Sequence, residues 1–250
     1  MTLFASLLGA LSSSQVVKSG YATGLRLVAR QADPTFAEGT YELPIQDAIL
    51  SNLTAGGVFF DIGANIGFFS LIAARRVGED GRVYAFEPVA RNAAAIKRNA
   101  ELNHLGTIEV FPEAVGSHSH RGELLLAHHI GGAALSSAGP PPDLSGQMPV
   151  DVVALDDVVS GRGLRAPSLV KIDVEGAEID VLRGMSETLR ICQPTIIYEI
   201  DDETLEGIDR KGRVIAEFLA AADYTVEPLP RAYPEQAWQV VHVLARPAPR

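Results

Sequence analysis

The segment 58–67 has the sequence Val58-Phe-Phe-Asp61-Ile-Gly63-Ala-Asn65-Ile-Gly67. Its apolar beginning is typical of a parallel strand that is covered on both faces. The two glycines allow the backbone to turn sharply and the next helix to begin close to the strand. We therefore predict a strand, a turn and a helix, with the turn at the carboxyl end of the strand.

The chain that follows this segment alternates between apolar runs and helical patterns. Further strands are predicted at 82–87, 108–115, 168–173, 195–200, 224–229 and 237–245. Helices are predicted at 67–76, 88–103, 177–190 and 208–222. This alternation predicts an α/β fold with a doubly wound, mostly parallel sheet and a C-terminal antiparallel strand pair. Ligands of such sheets bind beyond the carboxyl ends of the strands.

Two parts of the chain do not follow this alternation. Residues 1–38 are predicted to form an N-terminal helical extension, and residues 39–250 the main domain. Residues 116–150 are rich in Gly, Ser, His and Pro and contain one strand pattern, at 123–127. A long irregular stretch inside a compact domain is typical of a functional loop. We therefore expect this stretch to shape a substrate pocket.

The composition is that of an ordinary globular chain with an acidic balance, 47% hydrophobic, 21% charged and with a net charge of −10. A field of this sign repels phosphate backbones, which disfavours nucleic acid as a partner. The single cysteine, Cys192, excludes an intramolecular disulfide and is compatible with a reducing cytoplasm. No run approaches the roughly 20 apolar residues that a transmembrane helix needs. We expect a cytoplasmic protein with a small-molecule substrate, and a homodimer is a candidate assembly.

The turn after the first strand carries an aspartate that distinguishes two classes of cofactor. The dehydrogenase fingerprint Gly-x-Gly-x-x-Gly holds a pyrophosphate on a helix N-terminus. Asp61 occupies the place of its first glycine, and a carboxylate repels a pyrophosphate but attracts an ammonium group. S-adenosylmethionine has an ammonium group and a sulfonium, and no phosphate. Asp61, Gly63, Asn65 and Gly67 are therefore candidate residues for binding S-adenosylmethionine.

The next two strand ends also carry carboxylates. Glu87 ends the second strand, 24 residues after Gly63, and can accept hydrogen bonds from both hydroxyls of a ribose; Pro88 follows it. Glu113 and Ala114 end the third strand, where a carboxylate can accept from an adenine amino group and a backbone N–H can address a ring nitrogen. Each signal alone is weak. Their order at successive strand ends favours S-adenosylmethionine.

Four motifs of the chain resemble those of the FkbM-type methyltransferases. They are Asp61-Ile-Gly-Ala-Asn-Ile-Gly67, Phe86-Glu-Pro88, Glu113-Ala-Val-Gly116 and, most specific, Lys171-Ile-Asp-Val-Glu-Gly-Ala-Glu178. Tyr41-Glu42 also resembles the family's segment before the first strand, which adds Glu42 to the candidate cofactor residues. The resemblance implies a Rossmann-like class I methyltransferase fold with S-adenosylmethionine as cofactor. It also implies a hydroxyl acceptor on a secondary metabolite, sugar or lipid-linked glycan.

The acidic residues after the fourth and fifth strands are candidate catalytic groups, because methyl transfer to a hydroxyl needs alignment and a base. Asp173 is the first candidate for the base or substrate orienter and is also a candidate cofactor residue. Glu175 is the second candidate, and His129 in the irregular stretch is the third. Asp173 and Glu199 would be neighbours on adjacent strands. Together with Asp201 they form a candidate site for Mg²⁺, which would lower the pKa of the acceptor.

Three alternatives remain at this stage. A nicotinamide-dependent oxidoreductase would need a third glycine where Asp61 stands. A nucleic-acid or protein methyltransferase is opposed by the acidic balance and by the lack of an Asn/Asp-Pro-Pro-Tyr block. A cofactor-binding protein without activity is opposed by usable residues at every expected cofactor position.

Overall fold

The computed structural model describes residues 14–28, 33–127, 133–138, 144–233 and 239–249. In chain order the strands are β1 (Gln15–Val16), β2 (Arg26–Leu27), β3 (Val58–Ile62), β4 (Arg82–Phe86), β5 (Ile108–Phe111), β6 (Ala114–Val115), β7 (His120–Ala127), β8 (Ala133–Leu135), β9 (Leu144–Val153), β10 (Leu169–Ile172), β11 (Thr195–Asp202), β12 (Tyr224–Pro228) and β13 (Gln239–Pro247). The α-helices are α1 (Pro34–Glu38), α2 (Leu43–Asn52), α3 (Phe68–Val77), α4 (Ala90–Leu102), α5 (Leu155–Gly161), α6 (Glu178–Arg183), α7 (Ser186–Cys192) and α8 (Leu205–Ala221).

The central sheet has seven strands in the order β12-β13-β11-β10-β3-β4-β5. The five strands from β11 to β5 are parallel, and β13 and β12 are antiparallel. This confirms the predicted doubly wound sheet with its C-terminal antiparallel pair. The strand order reverses between β3 and β10, and a crevice at such a point is where ligands of open α/β sheets bind.

Both faces of the central sheet are covered by apolar side chains. One face packs around Phe60 and Val170, and the other around Phe59 and Leu169. All five residues of β3 are buried, which explains its uninterrupted apolar sequence. Burying one such large side chain contributes about 1.5–3 kcal/mol. The core therefore fixes the strand ends from which the candidate site residues project.

The stretch 116–150 is not an irregular loop where it is described. It forms most of a second sheet with the strand order β6-β9-β7-β8, in which β7 pairs antiparallel with both β8 and β9. The predicted third strand is split, because β5 ends at Phe111 and β6 joins this second sheet after Pro112. Leu124, Val150 and Val152 form its small core, so alternating apolar residues outweigh the scattered turn formers.

The predicted helical character of residues 1–38 is wrong for the part around β1 and β2. These two short strands pair antiparallel, and Val17 and Leu27 are buried in the same core as the central sheet. Val28 N–H also donates to Asn99 on α4 at 2.7 Å. Within 14–28 and 33–38, the described part of this extension, the helical structure is α1. The division of the chain at residue 38 stays a prediction.

The helix predicted at 177–190 is two helices, α6 and α7, separated at Gly184. A Cβ on Gly184 would lie 2.0 Å from the carbonyl oxygen of Gly116. The backbones therefore touch at a point where no larger residue fits, and the helix is interrupted there. Helix α5, which the sequence pattern did not predict, caps α7 through Asp156, whose carboxylate accepts from the N–H groups of Glu187 and Thr188.

No helix in the described part of the chain has the length and apolar character that a bilayer crossing requires.

Candidate functional site

The turn after β3 has the conformation that its glycines predict. Gly63 and Ala64 both donate their N–H groups to the carbonyl of Phe86, each at 3.1 Å. Gly63, Asn65 and Gly67 have positive φ angles of 76°, 52° and 83°. The turn therefore presents its backbone at the carboxyl ends of β3 and β4, against which a ligand can lie.

Asp61 lies beneath this turn and not on its surface. Its side chain is fully buried and accepts a hydrogen bond of 2.5 Å from Ser70 on α3. Its Oδ1 lies 3.9 Å from Lys171 Nζ and accepts no hydrogen bond from any described residue. Burial raises the pKa of Asp61, and the charge of Lys171 opposes that shift. Attraction of a cofactor ammonium group by Asp61 stays a prediction, and Lys171 already offsets part of its charge.

Glu87 stands at the end of β4 with both oxygens directed at the protein. Oε2 accepts from the N–H of Asn65 at 2.8 Å, and Oε1 accepts from the N–H of Val89 at 2.9 Å. Burial raises the pKa of Glu87 to about 7, against the lowering effect of these hydrogen bonds. Oε1 also accepts from Asn92 Nδ2 at 3.4 Å, so the second lone pair of Oε2 is the one that can still accept from a ribose hydroxyl. Pro88 follows it and is half-buried.

Glu113 follows β5 and has a cationic partner that the sequence did not reveal. Arg162 at the end of α5 donates to Glu113 Oε1 at 2.6 Å and lies over the ring of Phe111. The other oxygen, Oε2, is buried and accepts no hydrogen bond from the described residues. Ala114 is buried at the start of β6. An adenine amino group could donate to that free Glu113 oxygen.

Three buried oxygens around the turn lack a hydrogen-bond donor among the described residues, namely Asp61 Oδ1, Asn65 Oδ1 and Glu113 Oε2. An unsatisfied buried acceptor costs about 1–3 kcal/mol, so a ligand that offers N–H or O–H groups is favoured here. A pocket over the turn is lined by backbone 63–66, Tyr41 and Asp173. Of the three residues, Asn65 lines this pocket, which fits a ligand with donor groups such as the amino group and hydroxyls of S-adenosylmethionine.

A line of charged side chains crosses the carboxyl ends of β3, β10 and β11. Lys171 is paired in register with Asp61, and its Nζ donates to Asp173 at 2.9 Å. Burial lowers the pKa of Lys171, but the charges of Asp173, Asp61 and Glu42 outweigh burial, and the net shift is upward. Lys171, interpreted as a structural ion-pair partner, therefore holds Asp173 in place. Asp173 also lies on the pocket over the turn.

Glu175 follows Asp173 on a strained piece of backbone. It has a φ of 55°, which side-chain-bearing residues rarely adopt, and it is half-buried. Burial raises its pKa well above the ordinary value, and the charges of Asp173 and Glu199 add to that shift. The structure thus places both predicted acidic catalytic residues at one strand end. Their catalytic roles stay predictions.

A cluster around Glu199 joins strands β11 and β13, the start of α2 and Tyr233, which follows β12. Glu199 is paired in register with His242 on β13, and His242 Nε2 lies 2.7 Å from Glu199 Oε2. The same Nε2 lies 3.7 Å from Glu42 Oε2, and the hydroxyl of Tyr233 donates to Glu42 Oε1. Burial raises the pKa of Glu42 and of Glu199 and lowers that of His242.

This cluster contains a candidate group of metal ligands that differs from the predicted pair Asp173 and Glu199. Among the described residues, the group whose ligand atoms all lie within 4.8 Å is Glu42, Glu199 and His242, and Asp173 is not in it. Sequence reasoning missed His242 and Tyr233. The signal was weak but present, since His242 is a lone polar residue in the apolar run Val240-Val-His-Val-Leu244.

The predicted catalytic residue His129 lies outside the described residues. Two other histidines of the stretch 116–150, His118 and His120, are exposed and stack on each other with ring centroids 4.4 Å apart. His120 is the first residue of β7, and His118 precedes this strand.

Glu178 makes the stability of the folded protein depend on pH. It is buried, its Oε1 accepts from the N–H of Gly176 at 2.9 Å, and burial raises its pKa from 4.5 to about 7. The folded protein therefore keeps a proton that the unfolded chain has already released, and stability falls as pH rises through this window. We expect Glu178→Gln to flatten the fall between pH 4.5 and 7 by about 1 kcal/mol per pH unit.

Urea unfolding at several pH values measures this slope. Asp180→Asn, on the same helix, is the control, because its carboxylate is paired with Arg183 near the surface. Equal slopes in Glu178→Gln and in the wild type would contradict the assignment.

The seven-stranded sheet, with a glycine turn at its switch point and acidic residues at successive strand ends, defines a class I methyltransferase fold. A solved structure, the methyltransferase FkbM of Methylobacillus flagellatus KT, superimposes with a TM-score of 0.51 over 87% of this chain and 56% of that one. The two sequences are 17% identical, so this likeness shows the fold alone.

Residues 61–226 match the methyltransferase FkbM domain, and the chain belongs to this family. It is 33% identical over 179 residues to the 31-O-demethyl-FK506 methyltransferase FkbM of Streptomyces tacrolimicus, covering 60% of this chain and 67% of the relative. It is 25% identical over 221 residues to the hexuronic acid methyltransferase AglP of Haloferax volcanii, covering 88% and 85%. The family's enzymes are S-adenosylmethionine-dependent methyltransferases, and this chain is an enzyme of that class. The nicotinamide-dependent alternative is thereby removed.

Proposed function

We propose that the protein transfers a methyl group from S-adenosylmethionine to a hydroxyl oxygen of a small metabolite or sugar. The observation that carries this proposal is the set of unsatisfied buried oxygens around the turn, beside the carboxylate of Asp173. The name of one relative, which acts on 31-O-demethyl-FK506, supports the oxygen target. The name of a second relative, which acts on a hexuronic acid, supports a sugar acceptor.

The cofactor would be held at three strand ends. Glu87 accepts from ribose hydroxyls, and Glu113 Oε2 accepts from the adenine amino group. The turn backbone at Gly63 and Gly67 and the side chain of Asn65 lie against the amino-acid part. When bound, S-adenosylmethionine supplies an electrophilic methyl group on a positively charged sulfur.

The protein's own contribution to the reaction is alignment and proton removal. Asp173 would receive the hydroxyl proton as the acceptor oxygen forms its bond to the methyl carbon and the carbon–sulfur bond breaks. Lys171 orients that carboxylate through the 2.9 Å hydrogen bond. Glu175 is the second candidate for the proton acceptor, because it follows the same strand end as Asp173 and a raised pKa makes a carboxylate a stronger base.

Calorimetric titration with S-adenosylmethionine tests the cofactor part of the proposal. We expect micromolar binding to the wild type, no binding of NAD, and a loss of about 30-fold or more in Glu87→Ala, because one buried acceptor of the ribose is removed. Circular dichroism of the variant checks that it is folded. Unchanged binding by Glu87→Ala would contradict the placement of the ribose.

Substitution of Asp173 tests the catalytic part. We expect Asp173→Asn to lower kcat by about 10²–10³-fold and to change the Kd of S-adenosylmethionine by less than about tenfold, since an amide cannot take the proton. A hexuronic acid is the first acceptor to assay. Asp180→Asn should keep the wild-type kcat. If Glu175→Gln loses kcat and Asp173→Asn does not, the base is Glu175.

Three further points belong to this proposal. A cytoplasmic location is supported by the single cysteine, and a substrate other than nucleic acid by the net charge of −10. A homodimer is a candidate assembly that sedimentation can test. Mg²⁺ bound by Asp173 and Glu199 is not retained, because the group of ligand atoms that lie together contains an imidazole and excludes Asp173.

A further inference from the structure

The cluster of Glu42, Glu199 and His242 contains more ligand capacity than the protein itself satisfies. Glu42 and His242 are 4% and 5% exposed, so both are shielded from water. Glu42 Oε2 makes no hydrogen bond to any residue that the structure describes. His242 Nε2 lies 2.7 Å from Glu199 Oε2 and 3.7 Å from Glu42 Oε2, but it has the geometry of a hydrogen bond with neither. Two buried atoms left without hydrogen bonds at one point indicate a missing partner.

The charge of the cluster indicates that the missing partner is a cation. Two carboxylates meet one imidazole here, while the ammonium group of Lys171 is engaged by Asp173 at 2.9 Å. A buried carboxylate without a cation or a full set of donors is costly. A bound cation would offset both carboxylates and would satisfy the imidazole nitrogen at the same time.

We propose that Glu42, Glu199 and His242 bind a divalent transition-metal ion such as Zn²⁺ or Mn²⁺. One imidazole nitrogen and two carboxylate oxygens form a ligand set that these ions accept, whereas Mg²⁺ prefers oxygen ligands and water. Ligand atoms around a tetrahedral ion stand about 3.4 Å apart. The present distances of 2.7 Å and 3.7 Å from His242 Nε2 lie on either side of this spacing, and all three ligand atoms are within 4.8 Å of one another.

The surroundings of the cluster orient its ligands. The hydroxyl of Tyr233 holds Glu42 Oε1 and leaves Oε2 directed at the cluster. Glu42 also has a φ of 43°, a strained conformation at the position just before α2. Glu199 and His242 are fixed by their register on β11 and β13. Hydrogen bonds and strands that fix ligand orientation in this way are typical of built metal sites.

The position of the ion would connect it to the reaction, a step that rests on the proposed function. Strands β10 and β11 are paired with Ile172 opposite Tyr198, so Asp173 and Glu199 follow at the same level. A cation at Glu199 therefore lies beside the proposed base, where it would bind the acceptor oxygen and make its proton easier to remove. This inference moves Glu42 from the candidate cofactor residues to the metal ligands.

Calorimetry of the chelator-treated full-length protein, without S-adenosylmethionine or acceptor, tests the site. We expect one equivalent of Zn²⁺ or Mn²⁺ to bind and Mg²⁺ to bind much more weakly. Glu199→Gln and His242→Gln should each weaken binding by about 30-fold or more, and Tyr233→Phe by a smaller factor because it removes only an orienting hydrogen bond. Binding that is unchanged in both ligand variants would overturn the proposal.

Two controls separate this site from other sources of metal affinity. Glu178→Gln removes a buried carboxylate from the same end of the sheet and should leave the Zn²⁺ affinity within about threefold. His118→Ala with His120→Ala removes the exposed stacked pair and should have equally little effect. Loss of binding in either control would overturn the proposal. If His242→Gln does not fold, Tyr233→Phe and Glu199→Gln carry the test.

A competition experiment separates the metal site from the cofactor site. Saturating S-adenosylhomocysteine should leave one equivalent of metal bound. If it abolishes metal binding, the cluster belongs to the amino-acid part of the cofactor and the metal proposal fails while the proposed function stands. If the metal binds but no methyl transfer is found with any hydroxyl acceptor, the metal proposal stands and the proposed function fails.

Discussion

Replacing Gly63 with alanine is expected to lower the free energy of unfolding by about 4 kcal/mol or to prevent folding. The added Cβ would lie 1.7 Å from the carbonyl oxygen of Asp173. That carbonyl cannot retreat easily, because the N–H of Asp173 is hydrogen-bonded to Ile62 at 3.1 Å and β10 is buried beside β3. A φ of 76° adds about 1–2 kcal/mol of strain for a residue with a Cβ.

Gly56→Ala is the matched control for this substitution. Gly56 has a φ of 75°, but a Cβ there would meet no described atom within 4 Å. Its cost should therefore be the strain alone, about 1–2 kcal/mol. Urea unfolding of both variants at one pH measures the difference. Equal losses would mean that the contact between the turn and Asp173 is not as tight as the structure shows.

The same contact has a functional consequence. Gly63 lies on the turn proposed to hold the cofactor, and Asp173 is the proposed base. A Cβ that forces Gly63 and Asp173 apart would displace both the cofactor turn and the proposed base. Any folded Gly63→Ala protein should therefore lose S-adenosylmethionine affinity as well as stability, whereas folded Gly56→Ala should keep it.

The parts of the fold that the sequence predicted well are those governed by local patterns. Strand β3 is buried on both faces, and the apolar run in the sequence ends at Ile62, the last residue of the strand. The acidic residues Glu87, Glu113 and Asp173 each lie just beyond a strand, because the carboxyl end of a strand in a doubly wound sheet leads into a site or a turn. Local periodicity and turn chemistry are sufficient for these features.

Contacts between residues far apart in sequence were not predictable in the same way. Arg162 pairs with Glu113 across 49 positions, and Tyr233 bonds Glu42 across 191. Arg162 and Tyr233 stand in none of the sequence motifs. His242 meets Glu199 because β13 lies next to β11. The order of strands in a sheet is set by packing of the whole domain.

The second sheet was missed for a physical reason. Its strands contain turn-forming residues such as Gly122 and Pro149, which lower strand propensity. Pairing with β7 nevertheless buries Val150 and Val152 on β9 against Leu124, so tertiary packing decides the outcome. The N-terminal strands β1 and β2 were missed similarly, because their stability comes from packing on the main core.

Replacing Lys171 with methionine is expected to lower the free energy of unfolding by about 3–5 kcal/mol. Lys171 is 4% exposed, and its Nζ lies 2.9 Å from Asp173 and 3.9 Å from Asp61. Methionine fills a similar volume, so the loss measures the removed charge, including the contact of Nζ with the ring of Phe69, more than packing. Removing one partner of a buried ion pair leaves the other charges uncompensated, which is the costly case.

A double substitution tests that explanation. In Asp61→Asn with Lys171→Met, one of the two uncompensated carboxylates is gone, so the combined loss should be smaller than the sum of the single losses by about 1–2 kcal/mol. Lys97→Met on the exposed face of α4 is the control and should change stability by less than about 0.5 kcal/mol. Strictly additive losses would mean that Asp61 and Lys171 do not interact. The 3.9 Å separation would then be incidental, and Asp61 would be free to attract the cofactor's ammonium group with its full charge.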